Sequence, residues 1–341
     1  MPAPSRAVLL ITHTGDHFTI DRVQAGVARR GAHPIRLDTD RFPGELQITT
    51  RVGAGGVSAR LRDGAHELPV DAVDAVWMRR WFDRTAPPSG GAAARGQAPV
   101  IDPPRPGELS ELEAAQCVRE SRAALDGFLA ALDGARWLDP LLSVRRAENK
   151  LVQLRLAQHA GLRVPRTVIS NDPDEVRALW DACRGQLVAK MLTPITRSMG
   201  APPAAVYTHA LTAADLDDLE GLALSPMVFQ ERIAKRRELR VVYVAGRCFA
   251  GSLDGGRDDW RNPAAGPSSP WQVDALPDDV AGALDAVMRG LGLRFGAADI
   301  LRCADGSYCF LEVNPVGEWG MLERDLGLPI SDAIAEELCT R

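Results

Sequence analysis

The sequence lacks several features that would assign it to a familiar class of protein. Its N-terminal apolar run, residues 7–12, is too short for a signal-peptide core or a membrane span. Neither sign of charge dominates, because 40 basic residues stand against 45 acidic ones, so no global field attracts nucleic acid or an anionic membrane. Its six cysteines form no CxxC pair. We therefore expect a cytoplasmic protein with reduced thiols.

What remains is an ordinary globular composition in a long chain. The 341 residues are 45% hydrophobic and 25% charged, and this length allows two or three domains with sizeable cores. A single glycine, Gly15, follows the first predicted strand. The first strand–helix–strand unit therefore predicts a small α/β domain without a GxGxxG dinucleotide loop.

The most informative stretch is residues 295–322, which reads as two alternating strands around Asp305-Gly306. This dipeptide is a strong signal for a two-residue hairpin turn. Such a turn predicts three opposite pairs, Cys303–Tyr308, Leu301–Phe310 and Asp299–Glu312. Asn314 follows Glu312 by two residues and shares its face, since strand side chains alternate.

This pairing brings two carboxylates and a carboxamide together. Directly opposed like charges lie roughly 4.5–5.5 Å apart and repel by on the order of 3 kcal/mol at an effective dielectric near 20. A bound cation reverses the sign of that energy. Oxygen ligands favour Mg²⁺, with Mn²⁺ as a substitute, over zinc. The alternative is a solvated hairpin whose acids never meet, and the hairpin alone leaves both open.

Three other segments carry charged residues with two interpretations each. The arginines of WMRRW, residues 77–81, either bind an anion or a peptide or extend to solvent at a strand end. Lys190 lies in an apolar strand and needs an anionic partner such as phosphate, or an edge position. Glu238, which shares a strand face with Arg240, is a catalytic candidate or a charge partner of that arginine.

Residues 86–107, rich in Pro, Gly and Ala, predict a mobile loop.

Six motifs occur in an order that resembles the ATP-grasp superfamily. They are ITHTGDHFTIDRV, RLDTDRFP, VWMRRW, AENKLVQLRLAQHAGLRVPRTVISNDP, FQERIAKRRELRVVYVAGRCFA, and FGAADI with FLEVNPVGEWGMLE. Nearly the full length resembles the microviridin-type graspetide synthetases, which are ATP-dependent macrocyclases of ribosomal peptides. The resemblance implies an α/β (α+β) ATP-grasp fold with an N-terminal pre-ATP-grasp α/β domain. The implied domains are residues 1–140, a central subdomain at 141–215 and a C-terminal subdomain at 216–341.

The resemblance also implies roles for individual residues. Lys150 and Lys190 match two lysines that contact nucleotide phosphates. The adenine hinge corresponds to Gln230, Glu231 and Ile233. The magnesium ligands correspond to Asp299, Glu312 and Asn314, the same three residues that the hairpin groups together. Arg240 and Arg261 match positions that hold the γ-phosphate and the developing acyl phosphate, for which a planar guanidinium is suited.

The implied reaction has two steps. An Asp or Glu side chain of a precursor peptide, which carries a leader and a core, attacks the γ-phosphoryl group of ATP. A Ser or Thr hydroxyl then captures the acyl phosphate as an ω-ester, or a Lys amine captures it as an ω-amide. This chemistry needs positioning and electrostatics rather than a covalent nucleophile, in agreement with the absence of GxSxG, HExxH and P-loop motifs. A homodimer is also implied, with neither nucleic acid nor membrane as a partner.

Two alternatives stay open from the sequence. One is a ligase of the same fold that acts on a free amino acid or on a protein C-terminus, since it would share every nucleotide residue. The other is a non-catalytic nucleotide-binding protein, which predicts ATP binding without turnover.

Overall fold

The computed structural model describes residues 6–80, 110–192, 208–256 and 270–340. The chain divides into two compact units, Met1–Asp139 with Ser331–Arg341 and Pro140–Ile330. Arg261 and the predicted loop at 86–107 lie outside the described residues. Among the described helices, none has both the length and the apolar composition needed to cross a membrane.

Runs of strands are separated by helices along the chain. The strands are β1 (Ala7–Thr12), β2 (His33–Asp38), β3 (Leu46–Gly53), β4 (Gly56–Asp63), β5 (His66–Pro69), β6 (Val73–Met78), β7 (Arg136–Trp137), β8 (Thr167–Ser170), β9 (Leu187–Lys190), β10 (His209–Ala210), β11 (Met227–Glu231), β12 (Lys235–Val244), β13 (Arg247–Asp254), β14 (Gln272–Asp274), β15 (Phe295–Cys303) and β16 (Tyr308–Asn314). The helices are α1 (Thr19–Arg29), α2 (Glu111–Ala130), α3 (Leu141–Ala147), α4 (Lys150–His159), α5 (Pro173–Ala182), α6 (Asp278–Leu291), α7 (Gly320–Leu326) and α8 (Ile330–Cys339).

The first unit contains a parallel sheet in the order β2-β1-β6-β7. Every residue of β1 is buried, as expected for an apolar strand inside a parallel sheet. Helix α1 connects β1 to β2 and buries Ile20, Val23 and Val27 on one face. Strands β3, β4 and β5 form a separate antiparallel sheet. The predicted strand–helix–strand unit is confirmed, and its two strands pair in parallel.

The chain end returns to this unit through α8. A Cβ atom on Gly26 of α1 would lie 2.8 Å from the Cβ atom of Ala335, so the missing side chain permits the close approach of the two helices. Asp332 accepts a hydrogen bond from Arg29 at 2.7 Å, and the Arg136 guanidinium donates to the Leu338 carbonyl at 2.8 Å.

The second unit contains two antiparallel sheets. The first has the order β10-β9-β11-β8, and one of its faces packs on α5 through a core that includes Val176, Leu179, Leu187 and Phe229. Asp172 caps the start of α5 and Pro173 occupies its first turn, where both residue types are favoured. The other face of this sheet is open to the site described below. The division at residues 215 and 216 remains a prediction, and the pairing shows that β11, beyond it, belongs to the sheet of β8 and β9.

The second sheet of this unit has the order β14-β13-β12-β15-β16. A tight turn joins β12 to β13, with positive φ at both Ala245 and Gly246, which matches the twist of a two-residue hairpin. Helix α4 packs against both α6 and β16. The two antiparallel sheets and α4 together supply the side chains of the site.

Candidate active site

The hairpin of β15 and β16 has the predicted pairing at its functional end but not at its turn. Asp299 lies opposite Glu312, as predicted, while Leu301 lies opposite Cys309 and Arg302 opposite Tyr308. The predicted pairs Leu301–Phe310 and Cys303–Tyr308 are therefore wrong. The loop contains three residues rather than two, because the Cys303 amide donates to the Ser307 carbonyl at 2.8 Å and Gly306 has a φ of 88°. A turn closed by a left-handed glycine is a common three-residue hairpin loop.

A β-bulge restores the predicted register before the acids. The pairing shifts by one residue between Ile300–Phe310 and Asp299–Glu312, so Leu311 is the extra residue on β16. Successive side chains of a regular strand point to opposite faces. At this bulge, however, Leu311 and Glu312 both line the same pocket. The bulge therefore changes the direction of one side chain next to the site, which is a recurrent use of this irregularity.

The pocket lies against the β10-β9-β11-β8 sheet, on the face that does not pack on α5. Its lining from that sheet is Thr167 and Ile169 of β8, Lys190 of β9, and Val228 and Gln230 of β11. The register explains this set, because Gln230 lies opposite Thr167, and Val228 lies opposite both Ile169 and Lys190. Lys150 and Leu154 of α4 complete the lining with Leu311 and Glu312. An apolar floor next to two lysines and a carboxylate can hold a flat ring joined to an anionic tail.

Three charged residues form a row across neighbouring strands. Glu312 on β16 lies opposite Asp299 on β15, and Asp299 lies opposite Arg240 on β12. Arg240 Nη1 donates to Asp299 Oδ1 at 2.8 Å, with both side chains largely buried. Lys150 Nζ forms an ion pair with Glu312 Oε2. Each carboxylate therefore has a cation of its own, which offsets the repulsion expected between opposed acids.

The Arg240 guanidinium is held on a second side by backbone. Its Nε and Nη2 atoms donate to the Glu318 carbonyl at 3.2 and 3.1 Å. A Cβ atom on Gly317 would lie 2.9 Å from Arg240 Nη2 and 2.5 Å from the Ala297 Cβ atom, so a glycine is required where this turn passes the guanidinium. Glu238, the suggested charge partner, accepts a hydrogen bond from Lys235 at 2.6 Å.

Lys190 lies in an interior strand, since β9 is flanked by β10 and β11. The alternative of an edge-strand lysine is therefore wrong. Burial lowers the pKa of Lys190, and the opposing effect of the Glu312 carboxylate is smaller. Lys150 lowers the same pKa as a neighbouring cation. An anion that enters the pocket would compensate both lysines.

The predicted hinge residues separate into two groups. Gln230 is buried in the pocket, where its Nε2 atom donates to Thr167 Oγ1 at 3.1 Å. Glu231 and Ile233 are not among the described lining residues. The Glu231 carboxylate pairs with Arg166 at 3.1 Å, and this hydrogen bond lowers the pKa of Glu231. Ile233 packs on the cluster of Leu301, Cys303 and Cys309.

Asn314 ends β16 opposite Ala297, on the same strand face as Glu312. Its Oδ1 atom accepts a hydrogen bond from the Val316 amide at 3.0 Å, and its carbonyl accepts from Gly317 at 3.1 Å. Asn314 therefore shapes the turn that reaches Arg240, in addition to facing the same side as the acids.

Sequence reasoning missed several residues of the pocket. These are Leu154, Thr167, Ile169, Val228 and Leu311. Two local signals could have found part of the set, because Leu154 follows Lys150 by one helical turn and Val228 precedes Gln230 by two strand positions. Thr167 and Ile169 follow only from the pairing of β8 with β11.

The available donor atoms fit a magnesium ion that takes its remaining ligands from outside the protein. Within the described ranges, no three His, Cys, Asp or Glu side chains gather into a metal-binding group. Two carboxylates and a carboxamide supply oxygen donors instead. Mg²⁺ is usually held by one or two carboxylates, with water and substrate phosphates as further ligands. The residues present therefore suit a magnesium ion that arrives with a nucleotide.

Solved structures of similar proteins match nearly the whole chain, and a family model matches its N-terminal part. The family model of the MvdD pre-ATP grasp domain matches residues 7–89. Macrocyclase MdnB from Microcystis aeruginosa MRC is 42% identical with a TM-score of 0.81, over 98% of this chain and 100% of that one. Macrocyclase MdnC from the same organism, bound with precursor peptide MdnA, is 32% identical with a TM-score of 0.82 and the same coverage, 98% and 100%.

Two further proteins are similar to this chain at lower identity. A RiPP-associated ATP-grasp ligase from Chryseobacterium gregarium, in complex with ADP and a leader and core peptide, is 27% identical with a TM-score of 0.82, over 98% of this chain and 96% of that one. A curated relative named "Probable alpha-L-glutamate ligase", from Hydrogenovibrio crunogenus (strain DSM 25203 / XCL-2), is 27% identical over 180 residues, 52% of this chain. That match spans 58% of the curated relative.

Proposed function

The chain belongs to the family of ATP-grasp macrocyclases, and we propose on this premise that it closes rings within a ribosomal precursor peptide. It has the ATP-grasp fold and is an ATP-dependent ligase. Each ring joins an Asp or Glu side chain of the peptide to a Ser or Thr hydroxyl as an ω-ester, or to a Lys amine as an ω-amide. The proposed substrate is a peptide with a leader and a core, and support comes from the similar ligase of Chryseobacterium gregarium, which is in complex with ADP and a leader and core peptide.

The single observation that carries this proposal is the row of Glu312, Asp299 and Arg240 beside two lysines. A metal-bound nucleotide needs carboxylates to bind the metal and cationic side chains to bind the phosphate oxygens, and both kinds of group are present here. The carboxylates, with Asn314, would hold Mg²⁺ and the lysines would contact phosphate oxygens. When bound, the ion neutralises charge on the β- and γ-phosphate oxygens.

The chain's own residues act mainly by position and charge. Lys150 and Lys190 hold the phosphate chain while the peptide carboxylate oxygen attacks the γ-phosphorus atom and ADP leaves. Arg240, whose guanidinium is oriented by Asp299 and the Glu318 carbonyl, stabilises charge on the transferred phosphoryl group. The hydroxyl or amine then attacks the acyl carbon, and phosphate leaves as the ester or amide forms. Arg261 is proposed to share the contact with the acyl phosphate.

The adenine ring is proposed to lie on the apolar part of the pocket. Support comes from Ile169, Val228 and Leu311, which line it next to Gln230. Because the side chains of Glu231 and Ile233 have other partners, we propose that they contact adenine through backbone groups.

Several finer properties belong to the same proposal. Mn²⁺ is expected to replace Mg²⁺, since both prefer oxygen ligands. A homodimer is proposed from the family resemblance. Dependence on ATP supports a cytoplasmic location. The three-domain division at 1–140, 141–215 and 216–341 is retained as a proposal.

The experiment is incubation of the purified chain with MgATP and a candidate precursor peptide encoded beside its gene. The expected product has lost one water per ring, with one phosphate released for each. Phosphate release without the matching loss of mass would contradict the proposal. Nucleotide binding without any turnover would instead support the non-catalytic alternative.

A second candidate is supported by the similarity to the curated alpha-L-glutamate ligase. A ligase of that kind would add a free amino acid to a peptide or protein C-terminus. The same mass measurement separates the two, because addition increases the mass of the acceptor by one amino-acid residue whereas ring closure lowers it by one water.

A further inference from the structure

Gln153 forms an unusual set of hydrogen bonds next to the proposed metal ligands. This side chain of α4 is 3% exposed. Its Nε2 atom donates to the Val313 carbonyl at 2.8 Å and also to the Ala147 carbonyl. Its Oε1 atom accepts from the Val313 amide at 2.8 Å. One carboxamide thus bonds both polar groups of a single strand residue, as a neighbouring strand would.

The bonded residue lies between two of the proposed magnesium ligands. Val313 separates Glu312 from Asn314 on β16, which is the last strand of its sheet. The amide and carbonyl of Val313 both point away from β15, because both bond to Gln153. Anchoring them fixes the rotation of the strand about its own axis. Since neighbouring side chains alternate in direction, the same contact fixes where Glu312 and Asn314 point.

The same helix carries a proposed phosphate ligand. Lys150 precedes Gln153 by three positions, so the two side chains lie on one face of α4. Lys150 pairs with Glu312, and Gln153 bonds the next residue along the strand. The first turn of α4 therefore contacts β16 at two consecutive residues and links the lysine to the carboxylate.

We propose that Gln153 is a positioning residue that sets the geometry of Glu312, Asn314 and Lys150 for the magnesium nucleotide. This inference rests on the proposed function of the site. Gln153 touches neither nucleotide nor metal and acts through the backbone of Val313. A carboxamide is required because it offers a donor and an acceptor together. Glutamate would set a carboxylate against two carbonyl oxygens, and leucine would leave the buried groups of Val313 without partners.

The test compares Gln153→Leu and Gln153→Asn with the wild type. Calorimetry measures ADP binding over a range of Mg²⁺ concentrations and in EDTA, and a thermal melt measures stability. We expect Gln153→Leu to raise the Mg²⁺ concentration for half-maximal ADP binding about 10–100-fold, the usual effect of removing an outer partner of a metal ligand. ADP binding in EDTA should change much less. Gln153→Asn, whose side chain is one methylene shorter, should raise this Mg²⁺ concentration by a smaller factor. It provides the test if the leucine variant does not fold.

Tyr243→Phe is the matched control for stability. Tyr243 Oη donates to Asp285 at 2.6 Å elsewhere in the same unit, so its loss should lower the melting temperature without changing the Mg²⁺ dependence. A wild-type Mg²⁺ dependence in the folded Gln153 variants would overturn the positioning role. Failure of the wild type itself to bind MgADP would instead overturn the proposed function.

Discussion

Arg240 and Asp299 lie directly opposite each other on β12 and β15, and a 2.8 Å hydrogen bond joins their side chains. Both are largely buried, with 10% and 15% of their side chains exposed. Removing one partner leaves an unpaired charge buried away from water. The resulting loss of folding free energy is larger than the net stabilisation that the intact pair provides. The pair therefore makes the position of Arg240 dependent on a proposed metal ligand.

A double-mutant cycle tests this dependence. We expect Arg240→Met and Asp299→Asn each to destabilise the protein, and the double variant to be less destabilised than their sum by about 1–3 kcal/mol. Urea denaturation measures the three differences. The exposed pair Arg177 and Asp174 is the control and should show no measurable coupling. Additive effects at Arg240 and Asp299 would mean that the buried pair does not act as a unit.

Glu312→Gln should remove turnover while leaving the fold intact. The substitution keeps the shape of the side chain but removes the charge that faces Lys150 and the proposed ion. We expect turnover to fall by at least about 100-fold, the scale on which one preorganised charge acts, with little change in melting temperature. Asp305→Asn, at the exposed turn of the same hairpin, should keep wild-type turnover. An unfolded or fully active Glu312→Gln protein would show that the metal assignment is wrong.

Gly317→Ala should impair both stability and catalysis. The new methyl group would approach the Ala297 Cβ atom to 2.5 Å and Arg240 Nη2 to 2.9 Å, so the turn or the guanidinium must move. Overpacking of this kind costs about 1–3 kcal/mol. The control is Gly282→Ala in α6, where a Cβ atom meets nothing within 4 Å and alanine favours the helix. Thermal melts and turnover are measured for both, and equal behaviour of the two variants would contradict the prediction.

Chelation should stop turnover without unfolding the protein. The ion pairs of Lys150 with Glu312 and of Arg240 with Asp299 compensate both carboxylates when no metal is bound. We therefore expect EDTA to abolish turnover and to leave the melting temperature unchanged. Excess Mg²⁺ or Mn²⁺ should restore turnover. A large loss of stability in EDTA would instead indicate a structural metal.

Nucleotide affinity should fall at alkaline pH because Lys190 loses its charge there. Burial lowers the pKa of this lysine from 10.5, so its charge is lost at a lower pH than in an exposed lysine. Bound phosphate raises that pKa again, and ADP affinity therefore decreases as pH rises through the pKa of the free protein. Calorimetry at a series of pH values measures this. Lys190→Arg keeps its charge over the same range, and a wild-type affinity as constant as that of this variant would contradict the prediction.

The order of the site residues along the hairpin could be predicted from the sequence because the signals are local. A glycine turn and strand alternation are enough to predict that Asp299, Glu312 and Asn314 share one face of the hairpin. Asp299 lies opposite Glu312, however, only because the bulge at Leu311 offsets the extra loop residue. The length of the turn could not be predicted with equal success. Asp305-Gly306 fits both a two-residue and a three-residue loop. The bulge at Leu311 offsets the one-residue change of register that the longer loop causes.

The sequence by itself determined the elements, the spacing of their charged residues and the resemblance that named their roles. Periodicity and turn chemistry act within a few residues, so both can be read along the chain. Only the tertiary structure decided that Arg240 lies against Asp299, that Lys190 occupies an interior strand, and that Gln153 bonds the backbone between two proposed ligands. Those contacts join segments far apart in the chain, and pairing at that distance depends on how the sheets and α4 pack together.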